Sequence, residues 1–316
     1  MDTKSKAACP QCSEPIKPSW RICPVCETRL DALICPQCGG DVRENWRRCP
    51  ACEALLVCSQ CGIRLMRGQS GCPRCQSPQP QDREKKAVKK EAVCGLEFVL
   101  VRGGRFAMGD TLAQGVENEQ PVHQVDLDDF YISRCPVTQM QWSVLMAENP
   151  SGFQHPEHPV EQVTWSDAGE FAEKLSQASK ADLRFMLPTE AQWEYAARCG
   201  GVDDLYAGGD DIDAVAWYEA NSQGTPHPVG QKKPTASGLY DMSGNVWEWC
   251  RDTYRSDAYD RHGRRNPVLE SNGSDRVIRG GSWNLDAWSA RCARRFNFRS
   301  DFYGPGLGFR LVMAAD

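Results

Sequence analysis

Apolar and polar positions divide this chain into unequal parts. From Leu96 to Val101 apolar residues crowd into a strand-length run, and Gly103-Gly104 followed by Phe106-Ala107-Met108 predicts a hairpin partner. Val122 to Ile132 alternates roughly between apolar and polar and predicts a further strand. Three helices announce themselves by capping boxes. Thr138 with Gln141 opens the first, which the pattern carries to near Asn149-Pro150. Thr164 with Asp167 opens the second, with Trp165, Ala168, Phe171, Ala172 and Leu175 on one face. Thr189 with Gln192 opens the third, grouping Ala191, Tyr195, Ala196 and Cys199 before Gly200-Gly201 stops it. Beyond Gly201 short strands alternate with long Gly, Pro and Asn loops, and loops of that length usually carry function. The pattern predicts an α+β domain over 93–316, large enough for a sizeable core.

Before residue 93 no such periodicity exists. Residues 77–92 are Pro- and Gln-rich, then mix Lys and Glu, and read as a linker. The first 76 residues are organised by cysteine instead. Twelve of the seventeen cysteines form six Cys-x-x-Cys pairs: Cys9 with Cys12, Cys23 with Cys26, Cys35 with Cys38, Cys49 with Cys52, Cys58 with Cys61, and Cys72 with Cys75. Taken in order they make three units, each suited to a closed tetrahedral Zn²⁺ site of four thiolates. The repeat of Ser19-Trp20-Arg21 before Cys23 as Asn45-Trp46-Arg47 before Cys49 supports pairing within units. A disulfide framework is the alternative for such a segment. The polar start of the chain, without an apolar leader, argues against it and for a reducing, cytoplasmic setting. Each unit is too small for a core of its own, so metal binding and folding should be one event.

Charge sharpens this picture. Residues 1–92 hold sixteen Lys and Arg against ten acids, and the remainder holds 21 against 32, so a basic N-terminal part precedes an acidic domain. A basic segment suits nucleic acid. However, a four-thiolate zinc site carries about two negative charges, and three of them offset the excess. Nucleic-acid binding is therefore not expected, and the ribbons are expected to dock or space the larger domain. No apolar run approaches a membrane span.

Several stretches resemble a known family in order along 96–313. These are Phe98-Val99-Leu100-Val101-Arg102-Gly103-Gly104, Leu187-Pro188-Thr189-Glu190-Ala191-Gln192-Trp193-Glu194, Gly238-Leu239-Tyr240-Asp241-Met242-Ser243-Gly244-Asn245-Val246-Trp247-Glu248-Trp249, Arg279-Gly280-Gly281-Ser282-Trp283 and Gly308-Phe309-Arg310-Leu311. They resemble the formylglycine-generating-enzyme, or sulfatase-modifying-factor, family, which implies a C-type lectin-like fold. That family's oxidases place two copper-binding cysteines just after Gly-Gly-Ser. Here Leu285 and Ala290 stand in those positions, and Cys292 is one thiol at shifted spacing. Soft Cu(I) needs two such ligands, so neither copper nor the oxidase chemistry is expected. Iron-dependent relatives use a His-rich motif that His123, His155, His158, His227 and His262 do not form, so no iron is expected either. The resemblance also implies a calcium site at Asp241, Gly244, Val246 and Glu248. The alternative, that Asp241 and Glu248 satisfy loop amides, stays open at this point.

Between Trp283 and Gly308 the composition turns to aromatics, Arg, Ser and Asn, the mixture of rigid-aromatic binding loops. Neither helical nor strand periodicity is evident there. This arrangement resembles the variable proteins of diversity-generating retroelements, which carry a hypermutated stretch between Gly-Gly-Ser-Trp and a closing Gly-Phe-Arg-Leu. The resemblance implies a diversified surface over 284–306 that binds a protein ligand without catalysis. Its expected binding residues are Asn284, Leu285, Asp286, Trp288, Ser289, Arg291, Arg295, Phe296, Asn297, Phe298, Ser300, Asp301, Phe302 and Tyr303. The competing expectation is an oxidoreductase of the same family, or a regulatory relative whose active site has drifted.

Overall fold

The apolar run at 96–101 becomes strand β2 (Glu97–Val101), the second strand of a five-stranded sheet. In the computed structural model, which describes residues 88–179 and 183–315, β2 lies between β1 (Val88–Lys90) and β5 (Phe130–Ser133). The sheet continues through β11 (Val312–Ala314) to β6 (Phe185–Met186), in the order β1-β2-β5-β11-β6. All four pairings are antiparallel. Val88–Lys90, which the composition assigns to the linker, thus pairs with β2.

All three zinc sites expected from the cysteine spacing lie outside the described residues. The first is Cys9, Cys12, Cys23 and Cys26, and the second is Cys35, Cys38, Cys49 and Cys52. The third is Cys58, Cys61, Cys72 and Cys75.

The hairpin expected across Gly103-Gly104 does not form. Strand β3 (Gly104–Met108) pairs instead with β4 (His123–Leu127) in a separate two-stranded ribbon. The cause is local. The Gly103 N–H donates to Asp129 Oδ1 at 2.6 Å, and a side chain at 103 would meet the Leu127 carbonyl. The chain therefore turns away from β2. Asp129 and its neighbour Asp128 split the alternating stretch 122–132 into β4 and β5. Asp128 takes Arg265 and Asn266, and Asp129 takes Arg102.

The capping boxes all form, at Thr138, Thr164 and Thr189. Helix α1 (Gln139–Trp142) is nevertheless a single turn rather than reaching Asn149. After it the chain tightens, with Val144 and Leu145 bonding back three residues, and Trp142 Nε1 donates to the Glu148 carbonyl. Helix α2 (Trp165–Ala178) buries Ala168, Phe171, Ala172 and Leu175 as its periodicity requires. Phe171 stacks on Trp142, and Phe309 closes edge-on against both. Helix α3 (Glu190–Ala197) is buried almost all round, including Glu190 and Glu194. Short turns α4 (Ile212–Val215) and α5 (Ala258–Arg261) punctuate the loops.

A third sheet supports the C-terminal segment. Its order is β10-β7-β8-β9, from β7 (Trp247–Thr253), β8 (Asp275–Arg279), β9 (Arg295–Arg299) and β10 (Leu307–Gly308). So 284–306 is not free of regular structure: it holds the 3-10 turn Ala287–Ala290 and the edge strand β9. No helix among the described residues is long and apolar enough to cross a membrane.

Candidate functional site

The segment 284–306 starts from a close packing that only glycine permits. Gly281 has φ +74°, and a Cβ there would lie 2.8 Å from the Ser289 carbonyl. Asp286 then caps the 3-10 turn, accepting from the Ser289 N–H at 3.0 Å and its hydroxyl at 2.8 Å. Trp288 donates its indole N–H to the Gln114 carbonyl at 3.1 Å. The Arg294 guanidinium lies 4.3 Å from the Trp288 ring centre and 5.3 Å from that of Phe296. Past β9, Phe298 and Phe302 stack at 4.2 Å, and Tyr303 ends the row.

Exposure sorts the expected binding residues into three groups. Asn284, Asp286, Trp288, Phe296, Asp301, Phe302 and Tyr303 face solvent, the four aromatics with 37, 38, 40 and 63 % of their surface exposed in that order. Leu285, Ser289, Asn297, Phe298 and Ser300 are half-buried, with Leu285 and Phe298 packed on the apolar core. Arg291 and Arg295 are buried, and this corrects their assignment to the binding face.

Both buried arginines hold the segment down. Arg291 donates Nη1 and Nη2 to the two oxygens of Glu119, at 2.9 and 2.8 Å. Arg295 makes the same paired contact to Glu190, at 2.7 and 2.8 Å. Behind them Arg279 bonds Glu194, which also accepts from Arg198 and the Gly109 N–H. Burial alone would raise Glu190, but the Arg295 and Arg279 guanidiniums outweigh it and hold the carboxyl below its usual range. Sequence reasoning missed Glu119 and Glu190 as partners, because nothing local ties them to the C-terminal segment.

Beside Glu190 lies a small polar cluster. Asp252 accepts from the main-chain N–H groups of Glu190 and Leu269, and burial with the Glu190 charge pushes its carboxyl up to about 7. His262 contacts His123 at 3.1 Å, and burial pushes it down to about 4. Among the described residues its Nε2 has no hydrogen-bond partner. Oxygen and nitrogen atoms of Glu190, Asp252 and His262 come within 4.8 Å of one another, but Glu190 is already neutralised by Arg295.

The residues that the family resemblance assigns to calcium do not fit that ion. Arg310 donates Nε and Nη2 to the two oxygens of Glu248, at 2.6 and 2.7 Å, and Trp193 adds its indole N–H at 2.7 Å. A hard cation would have to displace a buried guanidinium. Asp241 accepts from the Gly230 N–H at 2.7 Å, and burial pushes it up to about 6. Gly244 and Val246 stay with their turn, at the start of β7. The two positions where family oxidases hold copper carry no thiol. Leu285 packs on the core, Ala290 is buried, and burial pushes the nearby Cys292 thiol up to about 12.

Comparison with known proteins agrees with this architecture. A solved structure, Treponema denticola variable protein 1, superposes with a TM-score of 0.66 at 30% identity, covering 72% of this chain and 99% of that one. Its fold is that of C-type lectin-like variable proteins. The "Chaperone protein LppX" of Paenibacillus barcinonensis is 31% identical over 266 residues, 68% of this chain and 89% of the relative. The "Formylglycine-generating enzyme" of Streptomyces coelicolor is 29% identical over 288 residues, covering 69% and 89%. Residues 9–53, which contain the first four cysteine pairs, match the "Double zinc ribbon" family, a match that suggests zinc binding there. Residues 85–315 match the "Sulfatase-modifying factor enzyme 1-like domain", and the chain belongs to that family.

Proposed function

We propose that this protein is a non-catalytic binder that displays a diversified surface over 284–306 and recognises a protein ligand. One observation carries the reading: exposed Trp288, Phe296, Phe302 and Tyr303 ride on a backbone fixed by buried Arg291–Glu119 and Arg295–Glu190 pairs. Aromatics left in water on a rigid frame are how binding faces gain area at little conformational cost. The likeness to Treponema denticola variable protein 1 supports it, as does the absence of thiols at Leu285 and Ala290. Three structural zinc sites, the third at Cys58, Cys61, Cys72 and Cys75, would fold the N-terminal ribbons, which dock or space the display domain in a reducing compartment.

Sequencing the gene's surroundings tests the diversified part. The expected result is a reverse transcriptase beside a near-copy of the stretch encoding 279–312, differing at adenines. A sulfatase gene alongside, with no such repeat, overturns it. Zinc removal by a chelator is expected to unfold residues 1–76 while leaving the melting transition of the larger domain in place. A single shared transition would contradict separate folding.

A further inference from the structure

Strand β9 ends its sheet, so among the described residues one of its two edges has no partner strand. The register identifies the groups on that edge. Asp275 pairs with Arg299 and Arg279 with Arg295, in unbroken antiparallel order. On the same register the Ser300 N–H donates to the Ser274 carbonyl at 2.8 Å. Antiparallel pairs alternate between those that exchange main-chain hydrogen bonds and those that do not. Phe298 and Phe296 therefore exchange bonds with β8, while Arg295, Asn297 and Arg299 turn their main-chain groups outward. The opposite side of β8 agrees, since the Asp275 carbonyl accepts from Tyr254 N–H on the β7 side. Of the outward groups, the Arg299 carbonyl takes the Phe302 N–H. Among the described residues nothing bonds the main chain of Asn297 or the N–H groups of Arg295 and Arg299.

Proteins usually guard such an edge with charged side chains. Here both candidates are occupied elsewhere, since Arg295 turns inward to Glu190 and Arg299 lies along the turn against Asp301. Phe296 and Phe298 stand together on one face of the strand, continuous with Phe302. We propose, building on the display reading, that the ligand binds by adding an extended strand to the β9 edge. Its main chain would bond Asn297 and the flanking N–H groups, and its alternate apolar side chains would lie on Phe296, Phe298 and Phe302.

The test uses the full chain and two displayed libraries, one of random linear peptides about ten residues long and one of a rigid folded scaffold. The proposal expects linear binders whose affinity falls roughly tenfold on N-methylation of alternate amides, and hardly at all for the intervening ones. Asn297→Pro and Asn297→Ala both give up the Asn297 Nδ2 donation to Asp275 Oδ2 at 2.8 Å and keep the β8 ladder, so the two variants should share one melting temperature. Only Asn297→Pro removes the outward N–H, so it should abolish this binding while Asn297→Ala retains it. Linear binders indifferent to N-methylation or to Asn297→Pro overturn the proposal, as does self-association through this edge. Folded-scaffold binders alone, lost on Phe296→Ala or Tyr303→Ala, overturn strand addition while leaving the display surface standing. If neither library yields a binder that needs these aromatics, both readings fall.

Discussion

Arg295 and Arg299 sit four residues apart, at the two ends of one strand, each paired with a carboxylate. The Arg295–Glu190 pair has no exposed surface, whereas Arg299 and Asp301 are 67 and 68 % exposed. The same chemical pair therefore does two jobs. Out of water, a guanidinium without its carboxylate is a large penalty, so the buried pair dictates where the strand can sit. In water the exposed pair gains little and constrains only a turn. The lesson is that the C-terminal segment is two interleaved systems, one buried and fixed by ion pairs and one exposed to solvent.

Breaking the buried pair should give the largest effect. Glu190→Gln leaves Arg295 uncompensated, and chemical denaturation should show a loss of about 3–5 kcal/mol. A loss below about 1 kcal/mol would erase the contrast with Arg299.

The neighbouring acid offers a second, pH-dependent probe. The folded state holds Asp252 protonated up to about pH 7, well above the usual carboxyl range, so the folded state binds this proton more tightly. Its contribution is full at low pH and is lost as pH rises from about 4 to about 7, by up to about 1.4 kcal/mol per unit. His262 works oppositely: its folded value of about 4 against an ordinary 6.5 makes it favour the folded state as pH rises through that window. Comparing wild type with Asp252→Asn isolates the acid: the difference in stability should shift steadily with pH in favour of the variant. A difference independent of pH would mean that Asp252 is ionised throughout.

The solvent-facing side should respond weakly and unevenly. Phe298→Ala, at a half-buried position on the core, should cost about 1–2 kcal/mol, while Tyr303→Ala should cost under about 0.5. Asp301→Ala should be the quietest change, with a thermal midpoint indistinguishable from that of the parent. Equal losses at 298 and 303 would place both rings in the core.

These contrasts also explain what the sequence made legible. Thr138, Thr164 and Thr189 could be found because a capping box needs only residues three apart, and each cap is present. Resemblance brought the fold. The strand at 295–299 stayed hidden because its inward residue is arginine, which in a pattern of polar and apolar letters reads as outward. Its partner Glu190 lies 105 residues earlier, and Glu119 lies 172 residues before Arg291. Such pairs exist only after the chain has folded. The partner of Glu248 was hidden for the same reason: Arg310 reaches it from 62 residues away.

Because Arg291 and Arg295 must each meet a glutamate on a fixed element, the stretch between Trp283 and Gly304 can change its letters far more freely than their number. One inserted residue before 295 would slip β9 by a step, turning Phe296 toward Glu190 and drawing the arginine out. Substitutions on the exposed positions should therefore be tolerated where a single insertion is not.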